Sequence, residues 1–130
     1  MNNINDIIEV TQTNKKVFLK INVIQFKKIG KSSKCKDDIY KIILTKCNEG
    51  VTISKKFNRD KLDVILDLWD VGLLDINIFF IKELITKLQK DLPETLNEMF
   101  IINYSRKIKY IYKIISPIID PDTRKKIMFK

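Results

Sequence analysis

The feature that most restricts the fold is a regular alternation of short apolar runs with segments whose apolar residues recur at helical spacing. The apolar runs cover residues 17–26, 63–70, 98–104 and 126–129, and the helical segments cover 37–48, 75–92 and 105–115. Short apolar runs between charged residues favour strands, and a run such as 63–70 is typical of a strand buried on both faces. This order predicts an α/β fold with a mainly parallel β-sheet, right-handed crossovers and flanking helices.

The first apolar run has an irregular pattern. Alternation through Leu19, Ile21 and Val23 slips at Ile24, as a strand with a bulge or with two buried faces would show. We therefore predict one strand over 17–26.

Other residues mark where the helices begin and end. The Asn48-Glu49-Gly50 sequence predicts the end of the first helix, and Pro93 limits the second. Ser105 is predicted to cap the third helix, and Asp120 to cap a short turn that has Pro121 at its first position.

Length and composition indicate one globular domain over 1–130. The chain has 130 residues, of which 45% are hydrophobic and 32% are charged. No apolar run approaches the roughly 20 residues that span a bilayer, and the N-terminus lacks the pattern of a signal peptide. Cys35 and Cys47 are twelve residues apart without the spacing of a zinc site, so buried free thiols in the cytoplasm are expected.

The absence of histidine from the sequence excludes most catalytic chemistry. The Ser-His-Asp and Cys-His arrangements and nearly all zinc sites need histidine, and no glycine-rich phosphate loop is present. Asp67 and Asp70 follow a predicted strand and could in principle bind magnesium, but polar residues and caps at the strand end are the favoured explanation because no phosphate-binding loop accompanies them. We expect a protein that is not an enzyme and has no cofactor or metal.

The charge is strongly basic and unevenly distributed. The formal net charge is +9, with basic clusters at 27–36 and 106–130 and most acids at 60–98. Such a charge favours anionic partners, either nucleic acid or a membrane surface. In the segment "SRKIKYIYK" aromatic and basic residues alternate as in some nucleic-acid proteins, but Ile108, Tyr112 and Ile115 have the spacing of a helix core. Nucleic-acid binding is therefore an alternative and not the main prediction.

Three motifs in the second half of the chain are more specific. They are "VILDL" from 64, "FIKELITKLQKDLPETLNEMFIIN" from 80 and "IYKIISPIIDPDTRKKI" from 111. Their order and spacing over residues 64–129 resemble the CRAL-TRIO lipid-binding domain family of phosphatidylinositol transfer proteins. The family has a strand ending in Asp-Leu, a Tyr-Pro-Glu turn before an Ile-Asn strand, and the pattern Asp-Pro-x-Thr-x-x-Lys-Ile. The resemblance implies a minimal CRAL-TRIO-like domain that lacks the N-terminal helical region and the gating-helix end.

The resemblance also implies a headgroup site. In family members that bind phosphatidylinositol, the glutamate after the turn proline and the lysine before Ile help to hold the inositol phosphate, and these positions are Glu94 and Lys126. A lysine suits a phosphodiester and a carboxylate accepts hydrogen bonds from inositol hydroxyls. The alternative is an ion pair between Glu94 and Lys126 that ties two loops together. Arg124 and Lys125 are expected to face the anionic surface of a membrane.

Some positions depart from the family pattern. Asp91-Leu92 replaces an aromatic pair before Pro93, and Leu62 and Val64 stand where members that bind phosphatidylcholine have hydroxyl side chains. Exchange of choline lipids is therefore not expected. A lipid cavity without its gating helix is expected either to have collapsed or to be covered by a second chain.

These observations predict the non-catalytic binding of an anionic phospholipid, phosphatidylinositol or a phosphoinositide, by a peripheral membrane protein that could transfer lipid or be recruited to membranes. The first alternative is a protein-interaction or homodimerisation module of the same fold. The second is nucleic-acid binding driven by charge.

Overall fold

The computed structural model describes residues 7–13, 16–28, 33–59 and 61–130. The strands are β1 (Ile8–Thr13), β2 (Lys16–Asn22), β3 (Leu62–Asp67), β4 (Leu96–Ile102) and β5 (Ile127–Phe129). The helices are α1 (Ser33–Lys55), α2 (Ile78–Asp91), α3 (Arg106–Ile115) and α4 (Pro121–Arg124), with 3-10 turns at Val23–Lys28, Leu73–Asp75 and Ser116–Ile118.

The five strands form one sheet in the order β1-β2-β3-β4-β5. Strand β1 is antiparallel to β2, and each later strand is parallel to the one before it. The predicted α/β fold with a mainly parallel sheet is confirmed. Every crossover moves one place in the same direction, and right-handed crossovers then place α1, α2 and α3 on one face of the sheet.

The core lies between that face and the helices. The strand register aligns Leu19 with Val64, Val64 with Met99, and Met99 with Ile127 along this face. One buried cluster joins the sheet to α1 through Ile7, Ile8, Val17, Leu19, Ile21, Ile39, Ile43, Cys47, Leu62 and Val64. A second cluster joins it to α3 through Leu68, Val71, Ile101, Ile108 and Ile111. The expected helical stripe of α3 is confirmed, because Ile108, Ile111 and Ile115 are buried.

The opposite face of the sheet carries a mixed surface. Its half-buried apolar side chains alternate with the core residues, so they point away from α1, α2 and α3; they are Phe18, Ile65, Phe100, Ile102 and Met128. The Lys20 ammonium lies 3.8 Å from the Asp67 carboxylate on this face, and the Lys130 ammonium lies 5.1 Å from the centre of the Phe100 ring.

The prediction of one strand over 17–26 was wrong at its end. Strand β2 ends at Asn22, and residues 23–28 form a 3-10 turn. Val23 and Phe26 still pack against the first core cluster, because a turn of three residues brings residues three apart onto the same side. The slip in alternation at Ile24 thus marks the end of the strand and not a bulge.

The prediction that the first helix ends at Gly50 was also wrong. Helix α1 continues to Lys55, and Gly50 lies inside it. A β-carbon at Gly50 would lie 2.9 Å from Cδ2 of Leu62, whose side chain is 1% exposed. Glycine at this position therefore lets α1 approach β3 closely and does not end the helix.

The sequence interpretation missed β1 altogether. Residues 8–13 pair with β2 in an antiparallel register that aligns Ile8 with Ile21 and Val10 with Leu19. The signal was the alternation of Ile8 and Val10 with polar residues, ahead of threonines. Ile8 is fully buried, so this strand extends the core cluster at the edge of the sheet.

The helix caps differ in detail from the predictions. Asn77 caps α2 by accepting a hydrogen bond from the Phe80 backbone, two residues after the expected start. Ser105 and Asp120 occupy their predicted positions but make no capping hydrogen bond through their side chains. Their carbonyl oxygens instead accept the first backbone bonds, from the nitrogen atoms of Ile108 at 3.1 Å and Arg124 at 2.9 Å.

The structure also bears on the predictions about membrane-spanning segments and cysteines. Within the described part of the chain, no helix is both long enough and apolar enough to cross a membrane. Cys47 is a buried free thiol as predicted, and burial raises its pKa to about 11. The side chain of Cys35 lies outside the described residues.

The contact at Gly50 predicts a measurable packing penalty. We expect Gly50→Val to lower the free energy of unfolding by about 1–3 kcal/mol, because the added methyl groups collide with Leu62 in a confined position. Chemical denaturation checks this value. Asn48→Val places the same side chain at an exposed position of α1 and is expected to change stability by less than about 1 kcal/mol. Equal losses in the two variants would contradict the packing role of Gly50.

Candidate functional site

The turns before β4 and β5 meet at one edge of the sheet. Strands β4 and β5 are parallel neighbours, with Met99 aligned with Ile127. Glu94 lies two residues before β4 and Lys126 lies immediately before β5. Because the amino ends of parallel neighbours share an edge, the two residues expected to form the headgroup site lie on the same side of the molecule.

Lys126 is held in place by its backbone and its side chain. Its carbonyl oxygen accepts a hydrogen bond from the Met99 nitrogen at 2.8 Å, and its own nitrogen donates to the Thr123 oxygen at 3.0 Å. Its ammonium donates to the Leu96 carbonyl oxygen at 2.9 Å. The side chain is half-buried, and a lysine ammonium has three N–H donors, so two remain for a ligand.

Glu94 is exposed and has an unusual backbone conformation. Its φ angle is 56°, in the left-handed region. The other described non-glycine residues with positive φ are Asn58, Asp70 and Asn103, and Asn and Asp tolerate this region better than Glu does. Glycine or asparagine would adopt this conformation at a lower steric cost. The presence of glutamate here is therefore a reason to look for a function of its side chain.

No ion pair between Glu94 and Lys126 is formed among the described residues. The alternative interpretation, in which these residues only tie two loops together through an ion pair, is therefore not what the structure shows. The loops are tied instead by the hydrogen bond from Lys126 to the Leu96 carbonyl. The Glu94 carboxylate forms no ion pair with any described residue.

Gln89 is a positioning residue that the sequence interpretation missed. Its side-chain nitrogen donates to the Ile118 carbonyl oxygen at 3.1 Å, and its side-chain oxygen accepts from the Asp120 nitrogen at 2.6 Å. These bonds attach the end of α2, which precedes Glu94, to the loop that leads to Lys126. A glutamine on the polar side of a helix carries no sequence signal for such a contact.

The residues around Glu94 connect the polar edge to the apolar core. Asp91 accepts a hydrogen bond from the Tyr40 hydroxyl of α1. Leu92 and Leu96, on either side of the turn, are half-buried and pack against the first core cluster. Asp91-Leu92 thus has a structural role in this chain. Glu94 and Lys126 lie at the rim of an apolar interior that α2 covers.

The three consecutive basic residues are not equivalent. Arg124 and Lys125 are exposed, whereas Lys126 is half-buried. Burial raises the pKa of the Tyr112 hydroxyl, and the positive charge of Arg124 acts in the opposite direction, which places the guanidinium near α3. Only Lys126 of the three directs its ammonium to the backbone of β4.

Leu62 and Val64, which replace the hydroxyl side chains expected in members that bind choline lipids, are part of the core. Leu62 is 1% exposed and Val64 is 7% exposed, and both pack in the cluster with Ile39, Ile43 and Cys47 of α1. Of the two expectations for the cavity, the structure at these positions agrees with collapse, since apolar side chains fill the space.

The structure does not support the alternative of a magnesium site at Asp67 and Asp70. One Asp67 oxygen accepts hydrogen bonds from the Trp69 nitrogen at 3.0 Å and from the Asn103 side chain at 2.9 Å. The other faces the Lys20 ammonium. Within the described residues, no three acidic or cysteine side chains gather as metal ligands would. Asp67 is thus a polar residue that closes the end of β3.

Comparison with known proteins gives three findings. A sequence profile of the CRAL/TRIO domain matches residues 9–130. The chain is 39% identical over 80 residues to the phosphatidylinositol/phosphatidylcholine transfer protein SFH12 of Arabidopsis thaliana. This alignment covers 58% of the chain and 14% of that relative. The fold matches the crystal structure of Sfh5 with a TM-score of 0.75 at 19% identity, over 99% of this chain and 51% of that one. The chain thus spans only part of the length of both proteins.

The backbone of Glu94 predicts a gain in stability on substitution. We expect Glu94→Gly to raise the free energy of unfolding by about 0.5–1 kcal/mol, because glycine adopts the left-handed conformation without the steric cost of a side chain. Denaturation midpoints measure the effect. Asn58→Gly is the matched control. Asn58 has a similar φ of 60°, but asparagine tolerates this conformation better than glutamate, so a smaller gain in stability is expected. A loss of stability in Glu94→Gly would show that Glu94 is not strained.

Proposed function

The chain belongs to the CRAL/TRIO domain family, and we propose that it binds an inositol phospholipid without covalent chemistry. The polar headgroup lies at the sheet edge formed by the turns before β4 and β5. The relative SFH12 bears the name of a transfer protein for phosphatidylinositol and phosphatidylcholine, which supports a phospholipid as the ligand.

One observation carries this proposal. The Lys126 ammonium is half-buried and bonded to the Leu96 carbonyl, and no carboxylate forms an ion pair with it among the described residues. A half-buried cation that the backbone already holds loses little side-chain entropy when it binds an anion. The phosphodiester of a phospholipid is an anion that suits a lysine as a point charge.

Glu94 supplies the complementary half of the headgroup site. Its carboxylate is exposed at the same edge and can accept hydrogen bonds from the hydroxyl groups of inositol. Choline has no hydroxyl groups to donate, and Leu62 and Val64 offer none to its phosphate. The proposed preference is therefore for inositol lipids over choline lipids.

The acyl chains displace part of the apolar packing between α2 and the core cluster. Leu88, Leu92 and Leu96 are half-buried along the path from the polar edge to the core cluster. No residue of α2 is buried, so this helix is held to the core less completely than α3, which has three buried residues. Lipid entry replaces part of the packing between α2 and the sheet.

Arg124 and Lys125 face the bilayer from which the lipid is taken. Both are exposed next to Lys126, and each basic residue near an anionic membrane surface contributes about 1 kcal/mol of attraction. In this proposal the protein associates with membranes peripherally and acts by binding alone.

The site predicts a selective effect of one lysine. We expect Lys126→Ala to weaken binding to vesicles containing phosphatidylinositol about tenfold or more, because a charged hydrogen bond to the phosphate is lost. Vesicle flotation with phosphatidylinositol or with phosphatidylserine at equal charge measures the selectivity.

Lys125→Ala is the matched control for this experiment. It removes the same charge from an exposed neighbouring position, and we expect an equal and smaller decrease for both lipids. If Lys126→Ala weakened binding to both lipids equally, the site would be reduced to a general basic surface and the proposal would be wrong.

A second candidate function is self-association, and the sheet face opposite the helices favours it. Phe18, Ile65 and Phe100 form an apolar centre on this face, and apolar surface of this kind is suited to pairing with a second copy. Sedimentation of the protein with and without Ile65→Lys tests it. A dimer that the substitution converts to monomers is the expected result, and a monomeric parent protein at all concentrations excludes this function.

A further inference from the structure

A second polar depression lies on the sheet edge, separate from Lys126. Its volume is about 290 Å³, and it is lined by Lys16, Val17, Asn58, Arg59, Lys61, Asp63 and Asn97. These residues come from the starts of β2, β3 and β4 and from the connection between α1 and β3. Three cations thus converge where the amino ends of three parallel strands meet.

The cations of the depression have no acidic partner among the described residues. Lys16, Arg59 and Lys61 take part in none of the ion pairs found there. Asp63 is the one described carboxylate in the lining, and its oxygen already accepts a hydrogen bond from the Asn97 side chain at 2.8 Å. Asp60, between Arg59 and Lys61 in the sequence, lies outside the described residues.

The backbone atoms of Arg59 and Lys61 are each held by a hydrogen bond to Ser54. The hydroxyl of Ser54, a residue that is 1% exposed, donates to the Lys61 carbonyl at 3.0 Å, and the Arg59 nitrogen donates to the Ser54 carbonyl at 3.1 Å. The Leu62 nitrogen then donates to the Thr95 carbonyl at 2.8 Å. Cations on an anchored backbone lose less entropy on binding than those on a free loop.

We propose that this depression binds a phosphorylated polyol. Arg59 with its planar donors, together with Lys16 and Lys61, takes the phosphomonoester. The Asp63 carboxylate and the Asn97 amide accept hydrogen bonds from ring hydroxyls and hold each other in place. A buried carboxylate beside three cations favours a ligand that carries both hydroxyls and phosphate over a simple anion.

The depression and the phospholipid site share one strand. Asn97 lines the depression, and the preceding residue, Leu96, accepts the hydrogen bond from Lys126. Phosphorylated polyols occur both as soluble inositol phosphates and as headgroups of phosphoinositides. If the ligand of the depression is a phosphoinositide headgroup, this inference rests on the proposed lipid-binding function. If the ligand is a soluble inositol phosphate, it does not.

Calorimetry with inositol 1,4,5-trisphosphate, which carries both phosphomonoesters and free ring hydroxyls, and flotation with vesicles containing phosphatidylinositol phosphate distinguish the two sources. The double variant Arg59→Ala, Lys61→Ala is expected to lose about tenfold or more in affinity for one or both probes. The variant Lys55→Ala, Lys56→Ala removes the same charge from two exposed residues, at the end of α1 and the start of the same connection, that do not line the depression. It is expected to bind within about threefold of the parent.

The outcomes separate this site from the one at Lys126. Loss in the Arg59, Lys61 variant with retention in Lys126→Ala supports the depression as a site, and binding of vesicles alone assigns the source to lipid. Equal losses in the two double variants, or no binding of either probe by the parent protein, overturn the proposal. Normal binding of both probes by the Arg59, Lys61 variant also overturns it. A loss of phosphatidylinositol binding in Lys126→Ala would then leave the proposed function intact.

Discussion

The hydrogen bond from the Lys126 ammonium to the Leu96 carbonyl depends on the parallel pairing of β4 with β5, and the rest of the site follows from that pairing. Because Met99 pairs with Ile127, the turn that precedes β5 lies beside the beginning of β4. The chain reaches this position through α3 and the two proline-containing turns that follow. Gln89 then attaches the end of α2 to the same loop. A polar site is thus built from segments that are about 30 residues apart.

The edge of the sheet where this site lies is also where basic residues gather. Parallel strands bring their amino ends together, so residues that precede three different strands become neighbours. Lys16, Lys61 and Lys126 each lie at the start of a strand, or within one residue of it. The uneven charge of the sequence therefore becomes a basic edge next to an apolar interior, which suits a ligand with a phosphate at one end and hydrocarbon at the other.

The core is filled by apolar side chains at Leu62 and Val64, so no open cavity lies there. Gly50 allows α1 to approach β3 so closely that apolar side chains fill the space there. Helix α2 packs over the core without a buried residue of its own, and it ends at the turn that carries Glu94. In the proposed function, an acyl chain would enter beside the polar site, and lipid binding would depend on how firmly α2 is packed.

The sequence by itself determined the order of strands β2 to β5 and of the helices between them, the mainly parallel sheet and the apolar stripe of α3. These follow from periodicity and from motif order, which are local properties of the chain. Tertiary structure decided the end of β2, the continuation of α1 through Gly50, the strand β1, the role of Gln89 and the basic depression around Arg59. Each depends on contacts between residues distant in sequence, such as Gly50 with Leu62, and local residue preferences contain no information about those distances.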